Sequence, residues 1–180
     1  MKAELSIWTI GHSTLSIEQL IERLRSFQIE VLIDVRSYPG SRRYPHFNRE
    51  NLAQSLTEAG IKYIHAPDLG GRRRARPDSL NMSWRNESFR GYADYMETEE
   101  FSEGIRRLLR AAREHRTAIM CSEAVWWRCH RSMISDYLKA DGVLVNHIMD
   151  VGKSEVHPFT SAARIVDGRL SYRGVLESGA

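Results

Sequence analysis

Two thiols and a group of histidines and arginines give this chain its chemistry. Cys121 and Cys129 are the two cysteines, and His130 and Arg131 follow the second directly. Thiol enzymes such as rhodaneses and cysteine phosphatases place a cysteine at a strand end, ahead of a loop and a helix. Helix N-terminal amides and nearby guanidinium groups then lower the thiol pKa. Cys121 fits that placement, with Arg128 or Arg131 as the charge, and is the candidate nucleophile. Six residues separate Cys121 from Arg128, one more than in the phosphatase loop. The intervening Glu123 and the Trp126-Trp127 pair also suit poorly a loop that wraps phosphate in backbone amides. Either thiol alone equally fits a small, buried, inert side chain.

Metal binding is a second chemistry. Cys121, Glu123, Cys129 and His130 are of types that zinc accepts. Cys129 and His130 are adjacent, however, and adjacent side chains on a helix diverge by about 100°. There is no Cys-x-x-Cys and no His-Glu-x-x-His, so no residue is assigned to a metal. Anion recognition is the third. Gly11, Gly70 and Gly71 would let a ligand approach the backbone, with Ser13 beside the first. Arg36, Arg128 and Arg131 offer forked donors for phosphate or carboxylate, and Cys129 and His130 lie between the last two. His12 and Asp34 would move protons or position water. Glu123 would orient the arginine-bearing loop. No Gly-x-Gly-x-x-Gly follows the first apolar run, and there is no Walker A loop. Bound NAD and ATP are therefore disfavoured, and the cofactor stays unassigned.

The elements that must position these residues alternate. Ile7–Ile10 reads as a strand ending at Gly11. Ser16 and Gln19 have capping-box spacing ahead of Ile17, Leu20, Ile21, Leu24 and Phe27 at helical spacing. Val31–Ile33 is the second strand. Asn48 is placed to cap a helix bearing Leu52 and Leu56 that stops at Gly60. Ile61–Ile64 alternates as the third strand. Residues 66–86 are polar and rich in Gly, Arg and Pro, and read as a long, mobile, functional loop. Phe89–Met96 reads as a short helix. A longer one follows, with Phe101, Ile105, Leu108, Leu109 and Ala112 on one face. Thr117–Met120 is the fourth strand. Met133, Ile134, Tyr137 and Leu138 mark another helix, and Val143–Val145 opens the fifth strand. Asp167-Gly168 between two short apolar runs is a hairpin signal.

Such alternation predicts an α/β three-layer sandwich with a mostly parallel central sheet, Rossmann-like or flavodoxin-like, plus a short C-terminal hairpin. Residues 1–180 read as one domain. In these sheets ligands bind beyond the carboxyl ends of the strands. Each unusual polar cluster follows a predicted strand, so all of them should meet on one rim.

The same clusters carry a resemblance. Gly11-His12-Ser13 comes first, then Asp34-Val35-Arg36-Ser37 with Pro39 and Ser41, then Gly60-Ile61-x-Tyr63. Leu69-Gly70-Gly71, Phe89-Arg90-Gly91-Tyr92-Ala93 and Cys121-x-Glu123 with Cys129-His130-Arg131 follow in order. Over about residues 7–157, including His147-Ile148 and His157, the chain resembles a bacterial and archaeal family known as domain of unknown function 488. Trp126 stands where many relatives have proline. The resemblance implies the fold and the site but no reaction.

Composition bounds what this site can serve. The 180 residues are 42% hydrophobic and 27% charged, a globular balance. No apolar run reaches the ~18–20 residues of a membrane span. The start of the chain lacks signal-peptide form, and two cysteines do not make a disulfide scaffold. A cytoplasmic setting is the expectation. Net charge is only +3, but 22 of the 26 basic residues are arginine. They cluster at Arg36, Arg42, Arg43 and Arg49 and at Arg72, Arg73, Arg74 and Arg76. The resulting expectation is an enzyme, a thiol-dependent transferase or hydrolase. Its ligand would be a small anion such as a nucleotide or nucleic-acid fragment. The alternative is a non-catalytic nucleic-acid-binding or regulatory module using the two arginine clusters. A homo-oligomer fits either reading.

Overall fold

Alternation within the strands decides the layers of the computed structural model, which describes residues 3–174. The six-stranded sheet has the order β3-β2-β4-β1-β5-β6. Its members are β1 (Ser6–Gly11), β2 (Val31–Asp34), β3 (Lys62–His65), β4 (Thr117–Cys121), β5 (Leu144–Asp150) and β6 (Lys153–Val156). The first five run parallel, and β6 returns antiparallel on β5. Side chains of successive strand residues face opposite ways. Trp8, Ile10, Leu32, Ala118 and Met120 accordingly pack with Leu20 and Leu24 of α1 (Ile17–Ser26) and Leu52 and Leu56 of α2 (Arg49–Glu58). Ile7, Ile33, Ile119 and Cys121 take the other face. There they meet Phe101, Ile105 and Leu108 of α4 (Glu99–Glu114) and Met133 and Leu138 of α5 (Arg131–Ala140). Helices α1 and α2 therefore cover one side, and α4 and α5 the other.

That is the expected three-layer α/β sandwich, with the C-terminal hairpin present as β7 (Arg164–Val166) and β8 (Arg169–Ser171). Its turn residues Asp167 and Gly168 both have positive φ, 51° and 75°, as a two-residue turn of this kind needs. The strand order itself is neither of the two named doubly wound orders. Both set β1 beside β2, whereas here β4 lies between them. The consequence is local and useful: β1, β4 and β2 end side by side. The chain leaves β1 and β2 toward one face and β4 toward the other, which opens a crevice at these three ends.

Local details follow the sequence with two exceptions. The Ser16–Gln19 capping box is formed, with both reciprocal bonds. Asn48 holds the N-cap position of α2, but its side chain accepts the Ser41 amide at 2.6 Å instead. It pins the loop after β2 rather than the helix end. Residues 66–86, expected to be mobile, are anchored. Asp94 of α3 (Glu87–Tyr95) is buried and accepts from the Arg76 amide, the Ser79 hydroxyl and the Asn81 side chain at 2.8, 2.6 and 2.7 Å. Gly91 permits the contact. A Cβ there would lie 2.2 Å from the Arg73 carbonyl oxygen.

Candidate functional site

The loops after β1, β2 and β4, the glycine turn after β3 and the start of α5 enclose a cleft of about 610 Å³. Of the residues expected at the rim, it is lined by His12, Ser13, Arg36, Gly71, Cys121, Glu123, Arg128, Cys129 and His130. Asp34, Gly11, Gly70 and Arg131 lie behind that lining.

Asp34 is fully buried and holds Arg36 in a fork. Nε donates to Oδ1 at 2.9 Å and Nη2 to Oδ2 at 2.8 Å, while the Tyr63 hydroxyl also donates to Oδ2 at 2.5 Å. Burial, then the Asp34 charge, pushes the Tyr63 hydroxyl pKa well up. Asp34 thus braces Arg36 from behind the cleft lining. Arg36 is fixed in turn. Its Nη2 also donates to the Phe47 carbonyl at 2.8 Å, and its Nη1 faces His12 Nε2 at 3.3 Å. His12 Nδ1 lies 3.0 Å from the Ser13 carbonyl and must be the protonated nitrogen. Nε2 then accepts from Arg36. Burial lowers the His12 pKa to about 4, so the ring is neutral, stacked on Phe47 at 4.2 Å, with its lone pair occupied. The ring lies between Arg36 and the Ser13 backbone, with no free nitrogen lone pair facing the cleft.

Gly11 and Gly70 make room for the protein itself rather than for a ligand. A Cβ on Gly11 would lie 1.7 Å from the Glu123 carbonyl oxygen, and one on Gly70 would lie 2.4 Å from Ser37 Oγ. Glu123 also departs from expectation. Its carboxylate is exposed, and its backbone carbonyl, not its side chain, accepts from Arg131 Nη2 at 3.0 Å. Arg131 is 1% exposed and does not face the cleft. Its other partners are the Ala124 carbonyl at 3.4 Å and Thr9 Oγ1 at 3.3 Å, and its Nε has no partner among the described residues. Among the described residues no carboxylate lies in ion-pair range of this buried cation.

The thiols sit beside that charge. Their sulfurs lie 2.8 Å apart on the cleft wall, both as free cysteines. Burial pushes the Cys121 thiol well up. For Cys129 burial acts in the same direction, but it is outweighed by the Cys121 thiol proton, the Arg131 charge and the Arg131 amide, and the pKa falls. That amide donates to Cys129 Sγ at 3.4 Å from the first residue of α5, where the helix dipole also favours negative charge. His130 completes the set. Its Nε2 lies 2.9 Å from the Val35 carbonyl and so carries a hydrogen, which leaves Nδ1 as the acceptor, 3.4 Å from Cys129 Sγ. Burial lowers the His130 pKa. A Cβ on Gly71 would press on that ring at 2.9 Å, and Tyr92 packs edge-on against it. The two thiols thus differ: the pKa of Cys121, the expected nucleophile, is raised, while that of Cys129 is lowered.

Free cationic capacity lies at the mouth. Arg72 and Arg128 are exposed there, and neither has an ion-pair partner among the described residues. Sequence spacing places Arg72 only within a cluster; its left-handed φ of 61° at the cleft edge has no sequence signal. Two other members of that cluster are engaged within the fold. Arg73 lies over the Tyr95 ring at 3.6 Å, and Arg76 pairs with Glu97 at 2.7 Å. Tyr38, Tyr44 and Phe89 add aromatic surface to the cleft, and Thr14, Ser41, Ser88 and Ser122 add hydroxyls.

Behind the thiols runs a buried polar chain that the sequence reading did not assemble. Arg131 can only donate, so Thr9 accepts from it and gives its own hydrogen to His147 Nδ1 at 2.5 Å. His147 Nε2 then donates to His157 Nδ1 at 2.8 Å, and His157 Nε2 to Asp136 Oδ1 at 2.8 Å. Tyr172 and Thr160 donate to Asp136 Oδ2. Trp126 stacks flat on His147 at 4.5 Å. An aspartate three residues after the core residue Met133 in α5 was the available signal.

A family model described as Domain of unknown function DUF488 matches residues 16–138. The chain belongs to the DUF488 family. The matched span holds Arg36, both cysteines, His130 and Arg131, and in DUF488 terms the cleft is assembled mostly from it. His12, Thr9, His147 and His157 lie outside the match. No curated protein and no solved structure matches the chain significantly. No helix among the described residues is long and apolar enough to cross a membrane.

Proposed function

We propose that this protein is a thiol-dependent transferase or hydrolase acting on a small anionic ligand in the cleft, with Cys129 as the nucleophile. One observation carries the reading. Cys129 Sγ accepts the first amide of α5, beside a buried guanidinium, and faces the unprotonated Nδ1 of His130. Helix terminus, cation and adjacent base are the recognised means of activating a thiol. Arg72 and Arg128 at the mouth would hold the anion, and Arg36, braced by Asp34, would fix the loop that bears its hydroxyls. A cleft of this volume with Tyr38, Tyr44 and Phe89 on its wall suits a nucleotide-sized ligand. Against the alternative of a nucleic-acid-binding module stands the engagement of Arg73 and Arg76 within the fold.

Alkylation against pH, with peptide mapping, tests this. Cys129 should react with a midpoint below the free-thiol value of about 8.5, and Cys121 should stay unreactive. Anionic iodoacetate should gain on neutral iodoacetamide, and the gain should vanish in Arg72→Ala/Arg128→Ala. A Cys129 midpoint at or above the free value would overturn the nucleophile. An unchanged reagent ratio in the double variant would overturn the anion site.

A further inference from the structure

Cys121 helps to lower the Cys129 pKa but takes no covalent part in the thiol chemistry above, yet its sulfur is the nearest group to that of Cys129. The two sulfurs lie 2.8 Å apart, less than an ångström from the disulfide bond length of about 2.05 Å. They belong to separate pieces of chain. Cys121 ends β4, and Cys129 follows the short 3₁₀ turn Trp126–Arg128 ahead of α5. The chain has no further cysteine to compete. Cys121 is 2% and Cys129 6% exposed, and both reach the cleft wall, so a small neutral oxidant has a route to them that a protein thiol lacks.

We infer that Cys129 and Cys121 form a redox-active dithiol that reduces a hydroperoxide, Cys129 being the sulfur attacked first and Cys121 the one that resolves it. The inference rests on the reading of Cys129 as the poised thiol and goes beyond it by adding a reaction and a second sulfur. In the first step the Cys129 thiolate attacks one peroxide oxygen. The O–O bond breaks, the alkoxide (hydroxide, for hydrogen peroxide) leaves and takes a proton, and Cys129 becomes a sulfenic acid. In the second step the Cys121 sulfur attacks the sulfenic sulfur. The S–O bond breaks, and hydroxide leaves with the Cys121 proton as water. The net change is two thiols and one hydroperoxide to one disulfide, one alcohol and one water. Sulfur loses two electrons and the O–O bond gains them. An external dithiol returns the pair to the reduced state.

A low-pKa thiol reachable from solvent with a resolving thiol beside it is the pattern of reversible oxidation sites. The bridge would also remove the nucleophile of the proposed thiol chemistry, so oxidation would switch that chemistry off.

Hydrogen peroxide is the probe, added to the reduced full chain, with intact mass and peptide mapping as readouts. Wild type should lose two hydrogens, yield a Cys121–Cys129 cross-linked peptide and recover its mass with dithiothreitol. Cys121→Ser should accumulate sulfenic acid at Cys129, with dimedone labelling about tenfold above wild type. Cys129→Ser should leave Cys121 unoxidised over the same time. Cys121→Ala repeats the resolving test if the serine variant misfolds. Sulfinic acid at Cys129 of wild type without a bridge, or a cross-link between two molecules, would overturn the pairing. Faster oxidation of Cys121 than of Cys129 would overturn the order of attack. The alkylation profile separates the two readings. A poised Cys129 that forms no bridge leaves the nucleophile standing and sinks only the dithiol. A bridge in a protein whose Cys129 has an ordinary midpoint sinks the nucleophile reading.

Discussion

A buried guanidinium with no carboxylate against it needs an anion nearby, because an uncompensated charge in the interior costs several kcal/mol. Arg131 is in that position, and the Cys129 sulfur is the group beside it that can become negative. Replacing Arg131 with Met keeps bulk and removes the charge. The Cys129 alkylation midpoint should then rise by about one unit, and reaction at neutral pH should slow by about tenfold. A thermal scan identifies any variant that has simply unfolded. An unmoved midpoint would mean that the helix amide and His130 suffice without the cation. The same residue shows what sequence reading reaches at this scale. Residue types and strand-end positions located the group, but roles depend on which atom of a neighbour lies within 3 Å or so. Glu123 works through its carbonyl, Gly11 admits that carbonyl, and the two thiol pKa values shift in opposite directions. None of these choices is encoded in spacing.

At the scale of elements, the core strands and the amphipathic helices were legible because burial imposes periods of 2 and 3.6 on them. Strand β6 was not, since Lys153–Val156 is exposed throughout and carries no alternation. The segment 66–86 was misread for a related reason: polar composition resembles that of a mobile loop even where one buried acceptor organises it. Asp94 is that acceptor, and hydrogen bonds from Ser79, Arg76 and Asn81 outweigh its burial to hold its pKa below the usual carboxylate value. Asp94→Ala would leave three donors without their partner. Trypsin should then cut after Arg72, Arg73 or Arg74 at least about tenfold faster, as local opening becomes easier, while the far-UV spectrum is retained. Equal cleavage rates would show that Gly91 packing and the Arg73–Tyr95 contact hold the segment without Asp94.

For the whole molecule, the polar chain from Arg131 through Thr9, His147 and His157 to Asp136 ties β1, α5, β5 and the C-terminal hairpin behind the cleft. It works only if every hydrogen points toward Asp136, which requires a neutral His147. Burial first, then His157 and Arg131, lowers the His147 pKa from 6.5 to about 2, and His12 is lowered to about 4. In the unfolded chain both imidazoles take up protons near pH 6.5. Below that pH the unfolded state binds more protons than the folded one, so stability falls as pH falls. The His12 share ends near pH 4 and the His147 share continues below it. Each contributes up to about 1.4 kcal/mol per pH unit within its window. His147→Gln keeps a donor toward His157 but cannot titrate. It should be less stable than wild type at pH 7, yet lose less stability between pH 6 and 4 by about 1–1.4 kcal/mol per unit, measured by urea unfolding. Parallel pH slopes in the two proteins would mean that His147 titrates normally in the fold. Below about pH 6.5 the hydrogens between Arg131 and Asp136 could not then all run one way, and the buried cation beside Cys129 would lose its fixed connection to the carboxylate behind it.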